Sequence, residues 1–265
     1  MRKIGVNLEA IPGVSPEVYI RAAKQAGFDA MFTGIYDERE TARIADLLSK
    51  ENMSYDTIHA PFKGMINDMW SDGETGDRAL RILCDTVDRC AQVGVPIAVV
   101  HMSTGKAPPI TEAGQRNYAS LVEYAAKKGI TLAFENQRWL ANLAFVFEYL
   151  AADNVRFCWD CGHEGCFTPG REYMPLFADK LACLHLHDNR GVYNEDMHLI
   201  PFDGALDFAR IARQIRESGF DGTLMMELKG RKTPYYDHLS LQEFLARAST
   251  AAVRLREMVD GVVLA

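Results

Sequence analysis

Residues 155–166 read VRFCWDCGHEGC, and the fold turns on which of two spacings in this stretch carries meaning. Cys158-x-x-Cys161 has the spacing of half a structural zinc site. Asp160-x-x-His163 offers instead a carboxylate and an imidazole where a β-rich run, VRFCWD, gives out. Side chains alternate along a strand, so Cys158 and Asp160 share one face, and Cys161 points the other way while the strand persists. No second C-x-x-C pair exists to complete a zinc site. Cys158, Cys161, Cys166 and Cys183 therefore read as small buried hydrophobes, and the stretch as a strand that delivers Asp160 at its end.

The same unit recurs outward in both directions. Strand candidates are KIGVNL (3–8), FDAMFT (28–33), MSYDTIH (53–59), PIAVVH (96–101), ITLAFE (130–135), VRFCWD (155–160), LACLHLH (181–187) and TLMMEL (223–228). Amphipathic segments such as PEVYIRAAKQAG, DRALRILCDTVDRCAQVG and FARIARQIRESG separate them, several closed by the glycine that stops a helix. Strands alternating with helices predict parallel βαβ units. Eight such units in 265 residues have the size and count of an α/β (β/α)8 TIM barrel, a single domain over residues 1–265. A doubly wound open sheet is the competing reading, but no glycine-rich dinucleotide fingerprint follows the first strand. The tail DGVVLA reads as a docking or fraying end.

Composition narrows the function. Hydrophobic residues make up 48% and charged residues 25%, the balance of an ordinary soluble globular protein. No run of 18 apolar residues occurs, so no membrane span is expected. The apolar part of MRKIGVNLEAIPG is too short for a signal peptide, and six cysteines without one read as reduced thiols in a cytoplasmic protein. A net charge of −7 supplies no global attraction to nucleic acid.

In a TIM barrel the active site lies at the C-terminal ends of the strands. The candidate strands end here on His59, His101, Glu135, Asp160, His185 with His187, and Glu227, while His163, Asp196 and His198 follow close behind. Six of the seven histidines fall at or just past strand ends, leaving only His238 apart. So many carboxylates and imidazoles on one rim are costly to bury unless a cation compensates them, which points to a metal site.

The ordered series HAPF, VVH, FEN, WDCGH, HLHD, D-x-H-x-x-P-F-D-G and MEL resembles the xylose isomerase-like TIM barrels over essentially the whole chain. That superfamily includes sugar and sugar-phosphate isomerases and epimerases as well as type-IV apurinic endonucleases. In the isomerase branch the resemblance implies one divalent ion (manganese, zinc, cobalt or magnesium) held by Glu135, Asp160, His185 and Glu227. The H-x-x-D pattern selects His185, with Asp188 three residues on, over His187. In the endonuclease branch it implies up to three zinc ions, with His59, His101, His163, Asp196 and His198 as the additional ligands. The segment NQRWLANL after Glu135, which reads as a helix start, replaces a glycine-rich stretch of the endonucleases. No basic, aromatic-interleaved loop for gripping a duplex is evident.

The resemblance thus favours a metal-dependent isomerase or epimerase acting through an enediolate, with a trinuclear-zinc phosphodiesterase as the alternative. Its substrate would be a small sugar or sugar phosphate, with no nucleic-acid or membrane partner, and the resemblance implies a homo-oligomer. Glu135 and Glu227 would be the catalytic acid and base. His59, His101, His163, Asp196 and His198 would contact substrate or hold additional metal. Arg190 and His187 would contact substrate, Arg190 as a fixed fork of donors for a hydroxyl or phosphate. Trp70, Trp139 and Trp159 are candidates for an apolar wall against a sugar face.

Overall fold

A computed structural model describes residues 1–34, 37–230 and 234–261; residues 262–265, most of the DGVVLA tail, lie outside them. Eight parallel strands, β1 (Ile4–Asn7), β2 (Ala30–Gly34), β3 (Ser54–His59), β4 (Ile97–Val100), β5 (Thr131–Glu135), β6 (Val155–Asp160), β7 (Leu181–His185) and β8 (Leu224–Met226), form one sheet in the order β7-β6-β5-β4-β3-β2-β1-β8. Strand β1 pairs with both β2 (Gly5↔Ala30) and β8 (Gly5↔Met225). The first and last strands are therefore neighbours, as the TIM barrel requires and a doubly wound order does not.

The strands are shorter than the sequence runs suggest. The end of LACLHLH is cut back to His185 and TLMMEL to Leu224–Met226, so His187 and Glu227 sit just past their strands. Strand β6 stops at Asp160, and the chain turns at once into α6 (Cys161–Phe167). The alternation argument consequently ends one residue before Cys161. This thiol is fully buried and donates to the carbonyl of His187. All four of the cysteines expected to be buried are so.

Chain contacts divide into two units, residues 1–33, 43–55 and 159–265, and residues 34–42 and 56–158. In the first, α1 (Pro16–Ala26) starts on a Ser15 cap with proline at its first turn, and ends on Gly27 at φ 99°, a left-handed conformation suited to glycine. Helix α9 (Leu241–Asp260) packs on α1 and on α8 (Phe208–Glu217), burying Leu241, Phe244, Leu245, Ala248, Ala252, Leu255 and Val259 at helical spacing. A full capping box starts it, with Ser240 accepting from the Glu243 N–H and the Glu243 carboxylate from the Ser240 N–H.

In the second unit, α3 (Gly73–Val93) packs on α4 (Glu112–Lys127), and β4 and β5 are nearly continuous apolar runs, buried on both faces like strands of a parallel sheet. Helix α5 (Leu140–Tyr149) begins inside the segment NQRWLANL, where a helix was expected. Each unit brings a set of strand ends and their imidazoles together.

Candidate metal centres

In the second unit, His59 is the last residue of β3, Glu135 the last of β5, and His101 directly follows β4. Their side chains converge. His101 Nε2 lies 2.5 Å from Glu135 Oε2, His59 Nε2 lies 3.2 Å from the same oxygen, and the two Nε2 atoms are 3.1 Å apart. Gln137, which shares the Glu135 face, brings Nε2 to 3.1 Å from His101 Nε2. His59 donates from Nδ1 to the Ala60 carbonyl at 2.7 Å. Its Nε2 then faces the Glu135 carboxylate and the His101 ring. A histidine anchored through one nitrogen to a carbonyl, with the other exposed to an acidic cluster, is prepared to bind a cation.

In the first unit, Asp160 ends β6, His185 ends β7 and Glu227 follows β8. One donor atom of each lies within 4.8 Å of one of each other. Asp160 and His185 are 0% and 1% exposed. The Asp160 carboxylate also caps α6, accepting from the His163 N–H at 2.6 Å. This explains the D-x-x-H spacing in local terms: the residue that ends the strand is also the one that starts the helix. His185 brings Nδ1 to 3.4 Å from Glu227 Oε2 and stacks on Phe32, with centroids 4.6 Å apart.

A second group surrounds Asp196. Nε2 of His198 is 2.9 Å from its Oδ2, Nε2 of His163 is 3.7 Å from the same atom, and Nε2 of His187 is 3.8 Å from Oδ1. Asp196 Oδ1 is buried without a hydrogen-bond partner. Burial alone would raise this carboxyl, yet His198 and His163 outweigh it and hold it well below the usual carboxylate range. Like His59, His198 sets Nδ1 against a carbonyl, that of Glu227, at 3.1 Å, and turns Nε2 to a carboxylate, that of Asp196. Carboxylates and imidazoles at this spacing are the donor set that suits a divalent transition ion. Among the described residues, both groups fit one.

The loop carrying Asp196 and His198 is strained. His198 (φ 50°) and Phe202 (φ 76°) occupy the left-handed region that non-glycine residues rarely adopt. Asp188 holds this loop from within, accepting backbone N–H bonds from Asn189 (2.8 Å), Gly204 (2.8 Å) and Leu206 (3.1 Å). Burial pushes the Asp188 carboxyl up, against the pull of these N–H groups.

Other expected residues fall outside the clusters. Arg190 is exposed at the surface, its guanidinium 5.3 Å from the Tyr235 ring centre. Trp159 is fully buried and Trp70 nearly so, each with its indole N–H bonded inside the protein, so both are packing residues; Trp139 is 48% exposed. His238 is exposed.

Two residues that sequence reasoning passed over stand out. Lys229 reaches to 3.8 Å from Asp196 Oδ2; its spacing of two from Glu227 is the signal that places both on one face of a regular strand. Glu164, inside the opening stretch, is 2% exposed and is bonded by Trp159, Tyr173 and Arg210. A charged residue next to His163 gave no cue that it would be buried.

The sequence profile described as "Xylose isomerase-like TIM barrel" matches residues 20–252. An uncharacterized protein of Sinorhizobium fredii, y4fM, is 28% identical over 196 residues, 68% of this chain; the match spans 61% of that protein's length. A probable endonuclease 4 of Geobacter sulfurreducens is 28% identical over 153 residues, 48% of this chain and 51% of the relative. Among solved structures, D-psicose 3-epimerase from Clostridium cellulolyticum with D-tagatose superposes with a TM-score of 0.79 at 13% identity, covering 97% of this chain and 99% of the other. No helix among the described residues is long and apolar enough to cross a membrane.

Proposed function

We propose that this chain, which belongs to the xylose isomerase-like TIM barrel family, is a divalent-metal-dependent isomerase or epimerase of a small sugar or sugar phosphate. The observation that carries the reading is the buried convergence of Asp160, His185 and Glu227 at neighbouring strand ends, with donor atoms within 4.8 Å of one another. The family resemblance adds Glu135 as the fourth ligand. The sugar-epimerase neighbour supports the reaction class.

A divalent ion held by these residues would polarise a ketose carbonyl and its adjacent hydroxyl, lowering the barrier to proton removal by several kcal/mol. The chain's own groups do the rest. Glu227, the least buried of the three at 20% side-chain exposure, takes the proton α to the carbonyl. Glu135, the second catalytic carboxylate that the resemblance implies, returns a proton. His163 holds substrate oxygens. The protein acts on small molecules in the cytoplasm as a homo-oligomer.

A three-zinc phosphodiesterase is a second reading, favoured by the two further groups, His59 with His101 and Glu135, and His163 with His187, Asp196 and His198, whose donor atoms also lie within 4.8 Å of one another. Metal content of protein purified without chelator separates the two. Near one ion per chain, unchanged in the His59→Ala/His101→Ala variant, together with turnover in a screen of ketoses and inosose-like compounds, is the result expected. Near three zinc ions, with cleavage of an abasic-site oligonucleotide, would replace the first reading by the second. Glu227→Gln should abolish turnover on the true substrate; retained activity would remove its assigned role.

A further inference from the structure

His187 places Nε2 3.1 Å and 3.2 Å from the two oxygens of Asp160, while its Nδ1 is buried with no hydrogen-bond partner. A carboxylate accepts and cannot donate, so Nε2 carries the hydrogen in both the neutral and the charged ring. A protonated nitrogen has no lone pair for a cation.

The packing fixes the ring in that role. It is 0% exposed and stacks on His198, with centroids 4.1 Å apart and planes at 15°. Its other edge lies on Gly162, where a Cβ would stand 1.9 Å from Cε1, 2.3 Å from Nδ1 and 2.4 Å from Nε2. Only a residue without a side chain leaves room for this imidazole at the first turn of α6.

We propose that His187 is a positioning residue that orients the Asp160 carboxylate through an Nε2–H bond, and that Gly162 exists to admit its ring. This replaces the substrate contact expected from the sequence, and it rests on the reading of Asp160 as a metal ligand. Hydrogen bonds to a ligating carboxylate fix its orientation, and losing such a partner typically weakens metal affinity about 10–100-fold.

Two measurements test it. Titration of chelator-stripped protein with Mn2+, followed by electron paramagnetic resonance, should give His187→Phe a dissociation constant raised about 10–100-fold with stoichiometry unchanged. His187→Gln, which keeps a donor, should recover most of the loss, and Gly162→Ala should resemble His187→Phe. A fall in stoichiometry by one ion would make His187 a ligand and overturn the proposal, as would an affinity within twofold of wild type in His187→Phe. The second measurement needs neither a variant nor a metal. In the 15N spectrum of metal-free wild-type protein, His187 should show a protonated Nε2; an unprotonated Nε2 overturns the proposal. Wild-type protein that binds no Mn2+ but keeps the Nε2–H signal would instead refute the metal reading of Asp160 while leaving the hydrogen bond intact.

Discussion

Replacing Glu164 tests how the short helix that carries His163 is held. Its Oε2 accepts from Trp159 Nε1 and from the Tyr173 N–H, each at 3.0 Å, and its Oε1 accepts from Arg210 Nη1 at 2.8 Å. In Glu164→Ala the indole N–H and the Tyr173 amide lose their acceptor inside a buried environment, at about 1–3 kcal/mol each. Arg210 suffers less: its side chain is 23% exposed, and Gln214 Oε1 at 3.0 Å remains as a partner. The sum is about 4 kcal/mol, a fall in Tm of roughly 8–16 °C for a chain of this size. Glu164→Gln can keep its carbonyl oxygen where Oε2 was, serving both N–H donors, and turn its amide toward an Arg210 that has other partners. It should cost only about 1 kcal/mol. Urea unfolding followed by tryptophan fluorescence, with m-values compared to confirm a common unfolded state, measures both. Equal destabilisation by the two variants, or a loss below 1 kcal/mol in Glu164→Ala, would falsify the view that the two buried N–H groups dominate.

Three further outcomes are expected. Gly114 lies in α4, where alanine ordinarily favours a helix, but its Cβ would stand 2.1 Å from the Trp70 ring; Gly114→Ala should therefore destabilise by about 1–3 kcal/mol in thermal unfolding, and any stabilisation contradicts the packing. Ser240→Ala removes the side-chain half of the α9 capping box and should lower stability by about 1 kcal/mol in urea, with Ser240→Asp close to wild type. Of the six cysteines only Cys84 is not buried, and burial together with Asp88 and Asp85 pushes its thiol up to about 11. A thiol so raised is protonated at neutral pH, and the thiolate is the reactive form. Native protein should thus react slowly with Ellman's reagent, at one thiol or none, faster as pH rises toward 11, and at all six only in denaturant; two or more fast thiols at pH 7 would contradict the burial.

Most of the fold is legible because a parallel barrel strand writes itself as a short apolar run. Runs such as IAVV and TLAFE, buried on both faces, need no partner strand to be recognised. Helix ends are as plain, since Ser15, Ser240 and Gly27 each mark one with their own chemistry. What was overdrawn is strand length: hydrophobicity continues through Leu186 and Leu228, which are buried after the strands have ended, and composition cannot separate a strand from a buried exit loop.

That distinction is also where the site became illegible. Period-two spacing puts His185 and His187 on the same face of a regular strand. Strand β7 stops at His185, however, and beyond it the backbone belongs to the loop anchored by Asp188. His187 therefore answers to Asp160, Gly162 and His198, none of which is near it in the periodic pattern. The sequence could name the histidines at the rim because strand ends place them there. It could not say what each ring nitrogen meets, because that depends on groups contributed from elsewhere: a carbonyl at Nδ1 of His59 and His198, the Asp160 carboxylate at Nε2 of His187. Ligand and supporting residue are the same amino acid here, and only what surrounds each ring separates them.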